Sequence, residues 1–139
     1  MRIDFARQPL MLGGRDYSGD LSGWRAHEPR DPLHQLVAAE HNYGTLGPCQ
    51  AACLAAVLST RRHVPVVMGE LGETDCGQGY IDRMMPWADR HGISYLAWAW
   101  NAHGGWTCEG GPTLIRDYDG TPTAFGIGFR DHLRRLAHG

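Results

Sequence analysis

Val64-Pro65-Val66-Val67-Met68-Gly69-Glu70 is the stretch on which the fold turns. It is short, rich in β-branched residues and almost continuously apolar, the pattern of a parallel strand buried on both faces. Three further runs share this character: Pro9 to Gly14, Leu36 to Tyr43, and Ile93 to Asn101. Their centres, near Leu10, Val37, Val66 and Tyr95, are separated by 27, 29 and 29 residues. Helical spacing fills the intervals. Residues 49–62 carry Ala52, Leu54, Ala55 and Leu58 ahead of Arg61-Arg62, and residues 79–91 carry Ile81, Met84, Met85 and Ala88 ahead of Gly92. A last helix is expected over 124–137, with Phe125, Phe129, Leu133 and Leu136 inward. Arg15 to Gln35, rich in Gly, Pro and Asp, reads mainly as a loop.

Strands alternating with helices at this pace imply a parallel sheet with right-handed crossovers. A doubly wound sheet and part of a (β/α)8 TIM barrel are both open. No glycine-rich phosphate loop follows a strand, which weighs against nucleotide binding. The strand ends carry polar and aromatic residues instead, the composition of the catalytic rim of a barrel. A complete barrel needs roughly 250 residues. The four βα units of this 139-residue chain are half of one, a single domain over residues 1–139.

Composition narrows the function. Thirteen Arg and no Lys face fifteen acidic residues, a formal net charge of −2, so no basic excess exists for a nucleic acid backbone. No apolar run is long enough to cross a bilayer, and the first residues lack the apolar segment of a signal peptide. No metal site or cofactor motif is expected. Cys49, Cys53, Cys76 and Cys108 include no CxxC pair. Disulfides, reduced thiols and a metal site are all formally open, and their turn-like surroundings suit surface bridges best.

The chemistry gathers at the strand ends. Glu70 shares its parity with Val66 and Met68 and is expected to point with those buried side chains. A carboxylate there is costly unless paired or used. His41 and Tyr43 are two apart on one strand and so share a face, as do Trp98 and Trp100. Flat indole rings suit the C–H face of a sugar.

These residues, in this order, resemble glycoside hydrolase family 5, the cellulase and endoglucanase family. Val64 to Glu73 is similar to its nucleophile strand, His41-Asn42-Tyr43 to its His-x-Tyr strand, Tyr95 to Asn101 to its last strand, and Leu114 to Thr123 to its closing segment. The resemblance implies a retaining hydrolase of β-1,4-glucan or a related polysaccharide, secreted. It implies Glu70 as nucleophile, Tyr43 as its hydrogen-bond partner, His41 at the cleavage subsite and Trp98 as the stacking platform. Trp100, Asn101, Trp106 and Trp24 would make further sugar contacts, and disulfides would form at Cys49 and Cys53, and at Cys76 and Cys108.

A retaining glycosidase needs a second carboxyl about 5–5.5 Å from the first. In the family it follows an Asn, and no Asn-Glu pair occurs in these residues. The chain is therefore expected to be the C-terminal half of such a barrel, completed by an N-terminal half or by a second copy in a twofold dimer. Glu73, Asp75 and Asp20 are the candidate substitute acids. A sugar-binding protein without turnover and a folding or assembly fragment are the alternatives.

Overall fold

The computed structural model describes residues 7–44, 50–75, 77–102 and 112–139. Four strands, β1 (Leu10–Gly13), β2 (Leu36–Tyr43), β3 (Val66–Gly72) and β4 (Ser94–Ala97), form one sheet in the order β1-β2-β3-β4. Every neighbouring pair is parallel. Helices α1 (Gln50–Arg61) and α2 (Ile81–Arg90) make the crossovers from β2 to β3 and from β3 to β4, and α3 (Ala124–His138) follows β4. Spatial order that repeats chain order is barrel winding; a doubly wound sheet reverses direction partway. The long first connection is irregular apart from one short 3-10 turn, Arg25–His27.

The elements begin and end for local reasons. β3 starts at Val66 rather than Val64 because Pro65 has no N–H for the ladder, although its carbonyl still accepts from the Ala38 N–H at 2.9 Å. The carboxylate of Glu73 starts α2 by accepting the N–H groups of Tyr80 and Ile81 at 2.9 and 3.1 Å. Thr123 caps α3, its hydroxyl accepting the Gly126 N–H at 3.0 Å. Gly126 is required at that position, since a Cβ there would collide with the carbonyl of Leu114.

One core lies between the sheet and the helices. Leu36, Ala38, Val66, Met68 and Leu71 from the strands meet Val57, Ile81, Met84, Met85, Phe125 and Phe129 from the helices. Leu10, Leu12, Tyr95 and Ala97 pack against the same cluster from the outer strands. By alternation, Met11 and Leu96 stand on the opposite face of the sheet, where they are 50% and 55% exposed. That face is uncovered among the described residues.

Four expectations need correction. Leu133 and Leu136, expected inward on α3, are 44% and 52% exposed, while Phe125 and Phe129 are buried. Trp24 is 7% exposed and belongs to the core, with its indole N–H donating to the Leu12 carbonyl at 3.0 Å. Its one polar group is spent on backbone, so it is no sugar contact. The fourth strand stops at Ala97 instead of running to Asn101. Beyond it the Ala99 N–H bonds the Pro112 carbonyl at 2.8 Å, so Trp98 and Trp100 do not share a strand face. Cys53, finally, lies within α1, as the helix expected over 49–62 implies, but it is 7% exposed, so its disulfide is not the surface bridge expected. Cys49, Cys76 and Cys108 lie outside the described residues.

Candidate functional site

The position of Glu70 depends on an irregularity in β3. The register pairs Glu40 with Met68 and His41 with Glu70, so Gly69 is an extra residue opposite a single step of β2. A bulge of this kind reverses the alternation beyond it. Val66, Met68 and Leu71 accordingly face the helices, at 2% exposure or less, while Glu70 turns to the uncovered face. The parity expectation that placed Glu70 with Val66 and Met68 is thus corrected. Its carboxylate escapes a desolvated core position and meets partners instead.

Those partners are His41 and Tyr43. The Tyr43 hydroxyl donates to Glu70 Oε2 at 2.5 Å, and His41 Nδ1 lies 3.4 Å from the same oxygen. Oε1 takes no hydrogen bond among the described residues. Gly72 makes room for the Tyr43 ring, which a Cβ at that position would run into. Burial, and then the hydrogen bond to Glu70, hold the Tyr43 phenol well above its usual range. It therefore stays a proton donor to the carboxylate at any ordinary pH.

Trp98 follows directly from the end of β4, its backbone N–H bonded at 3.0 Å to the carbonyl of Leu71, the neighbour of Glu70. It is 48% exposed and Trp100 70%. Asn101 is half-buried, and its Oδ1 has no partner among the described residues. Trp106 lies outside the described residues.

The substitute acids fare poorly. Glu73 is 3% exposed and occupied at the start of α2. Asp20 is paired with Arg15 at 2.8 Å and also accepts the Ser22 N–H, contacts that lower its pKa to about 2. Asp75 is exposed and accepts the Gly77 N–H at 2.9 Å. No cluster of potential metal ligands occurs among the described residues, and no described helix is long and apolar enough to cross a membrane.

Sequence reading missed Tyr17. Asp16, Tyr17 and Ser18 all take positive φ (49°, 54° and 69°), a turn clipped at its base by the Arg15–Asp20 bridge. Left-handed backbone at three successive non-glycine residues is strained and tends to mark functional loops. Ser18 ties this turn to the site, its carbonyl accepting the His41 N–H at 3.1 Å. Tyr17 is left 97% exposed. An aromatic residue between Asp and Ser-Gly just after a strand was the signal available.

Fold and site together define an α/β protein with the winding of part of a (β/α)8 barrel and a carboxylate held at the strand ends. The family model for Cellulase (glycosyl hydrolase family 5) matches residues 3–104, and the chain belongs to that family. Solved structures share the fold. A β-mannanase from Streptomyces thermolilacinus is 23% identical with a TM-score of 0.59, the match covering 84% of this chain and 41% of that one. The catalytic domain of the major endoglucanase from Xanthomonas campestris pv. campestris is 20% identical with a TM-score of 0.60, covering 81% and 37%. A mannanase catalytic domain from Streptomyces sp. SirexAA-E is 23% identical with a TM-score of 0.57, covering 84% and 38%. The chain thus spans about two fifths of the length of these structures. No curated protein matches it significantly.

Proposed function

We propose that this chain carries the nucleophile half of a retaining glycoside hydrolase acting on β-1,4-glucan or a related β-linked polysaccharide. The observation that carries the reading is the Glu70 carboxylate, with Oε2 held by Tyr43 and His41 and Oε1 without a hydrogen bond among the described residues. In a retaining reaction Oε1 bonds to the anomeric carbon as the glycosidic oxygen departs, and water later releases the sugar. Tyr43 orients the carboxylate for that attack, His41 contacts the sugar at the point of cleavage, and Trp98 stacks on its ring. Trp100, Asn101 and the exposed Tyr17 extend the surface to neighbouring sugars. The mannanases and the endoglucanase among the similar solved structures support a polymer backbone of either mannose or glucose.

We place the acid that protonates the leaving oxygen outside the described residues, because Glu73 caps α2, Asp20 pairs with Arg15 and Asp75 accepts the Gly77 N–H. We assign it to four further strands that close the barrel over the face bearing Met11 and Leu96, an N-terminal half-barrel or a second copy of this chain. The parent enzyme acts outside the cell, where the bond at Cys53 is stable. Without that closure, sugar binding without turnover is the second reading, favoured by the engaged state of these acids.

The test is reducing-sugar release from carboxymethylcellulose and from mannan, comparing the chain with Glu70→Gln. Release that depends on Glu70 supports the hydrolase, and equal release by both proteins rules it out. Retention on insoluble cellulose or mannan without release supports binding alone. Size-exclusion chromatography with light scattering decides the closure: a twofold mass supports the second copy, and a folded monomer excludes it.

A further inference from the structure

Among the described residues, Glu40 is the most buried ionisable side chain that the proposed reaction leaves unused. It is 1% exposed and sits on the helix-facing side of β2, at the last regular step before the bulge. Its Oε1 accepts a hydrogen bond from Asn42 Nδ2 at 2.5 Å, while Oε2 has no partner among the described residues. Glu40 and Asn42 therefore form a clamp on one face of β2. His41 and Tyr43 alternate with them on the other face, where both reach Glu70. We infer that Glu40 is a positioning residue: by accepting the Asn42 amide it closes a clamp behind β2, and that clamp holds His41 and Tyr43 on the Glu70 carboxylate. The inference rests on the site proposed above.

The surroundings explain why the neutral form is the one that fits. A buried carboxylate with a single hydrogen bond is poorly stabilised, because removal from water penalises its charge. No ion pair to Glu40 forms among the described residues. β1 carries no ionisable side chain, and the one cation of α1, Arg61, donates to the Gly92 carbonyl at 3.0 Å. β3 presents Met68 beside Glu40 and turns Glu70 to the other face. The Tyr80 hydroxyl feels the field of Glu40 and also that of Glu73 and Arg83. Burial raises the Glu40 pKa to about 7, the Asn42 hydrogen bond opposing the shift. Ionisation near neutrality keeps the Asn42 hydrogen bond but leaves charge on an Oε2 without a donor among the described residues, so the side chain shifts toward water and takes the clamp with it.

The experiment follows carboxyl-carbon and Tyr43 ring signals by NMR across a pH titration of the whole chain, with Glu40→Gln and Asn42→Ala alongside. The expected result is a Tyr43 inflection that tracks the Glu40 carboxyl in the parent. It should vanish in Glu40→Gln, which keeps the parent's low-pH Tyr43 position, while Asn42→Ala displaces the Tyr43 signals at every pH. Persistence of the Glu40-linked inflection in Glu40→Gln overturns the inference, as does its absence from the parent. The parent and Glu40→Gln decide the matter even where Asn42→Ala does not fold. A separate titration with cellotetraose and mannotetraose keeps the two ideas apart: no sugar-induced shift sinks the carbohydrate reading and leaves the clamp result standing.

Discussion

Replacing Glu40 by Gln has a calculable effect on stability. The amide keeps the size and the hydrogen-bonding end of the neutral carboxyl but has no proton to lose. In the folded chain Glu40 titrates at about 7 rather than 4.5, and at 1.36 kcal/mol per pH unit the difference is about 3 kcal/mol. The sign is set by which state keeps the proton. The folded pKa is raised, so the contribution is fully present below pH 4.5 and is lost as pH climbs through 7. Relaxation and water entry reduce it, so about 2–3 kcal/mol is the realistic range. Urea unfolding followed by tryptophan fluorescence, at intervals from pH 4.5 to 8.5, measures it. Glu40→Gln should lie close to the parent at the acid end and become the more stable protein by about 2–3 kcal/mol above pH 8. Parallel stability curves across that range would refute the reasoning, because they would mean that Glu40 ionises in the folded chain as readily as in the unfolded one.

The other predictions concern the site and its supports. Tyr43→Phe removes the hydrogen bond to the carboxylate, and at about 1.5–3 kcal/mol for a charged acceptor it should slow transfer of the sugar to Glu70 roughly 10- to 150-fold. Single-turnover kinetics with an activated glycoside measures this. Gly72→Ala places a methyl group where the Tyr43 ring lies and should reproduce much of that loss without touching a polar atom, read by the same kinetics. Trp24→Phe strips the partner from the Leu12 carbonyl within the core and should lower stability by about 1–3 kcal/mol, while binding of cellotetraose or mannotetraose, followed by calorimetry, is unchanged. Trp98→Ala should do the reverse: weakened sugar binding in the same calorimetry and a stability change within about 1 kcal/mol, since half the side chain already faces solvent.

The parallel winding was legible because burial on both faces leaves a run such as Val64 to Met68 no polar alternation, and because four such runs recur at one pace. The positions of Glu70, His41 and Tyr43 in the chain were legible too, but their meeting was not derivable from alternation. Strict parity sends Glu70 into the helix-side core, and only the bulge at Gly69, a property of the pairing between two strands, brings it round to His41 and Tyr43. The indole pair failed for a related reason: Ile93 to Asn101 is apolar throughout, yet the backbone leaves the sheet at Ala97 to bond Pro112, a contact between distant segments. Trp24 stands in a loop-like stretch whose composition gives no sign that the indole turns inward to a backbone carbonyl. Glu40 was hidden inside an apolar run beside two more conspicuous residues, and its burial emerges only when α1 and α2 cover the sheet.

Covalent trapping reaches the central claim most directly. A 2-deoxy-2-fluoro cellobioside or mannobioside with a dinitrophenolate leaving group departs without protonation, so attack by the nucleophile is tested apart from any acid. After incubation and peptide mass spectrometry, the account predicts one fluoro-sugar on the peptide containing Glu70, absent in Glu70→Gln and slower to form in Tyr43→Phe. A label on another residue of the folded chain, or none at all with the barrel closed, would contradict it.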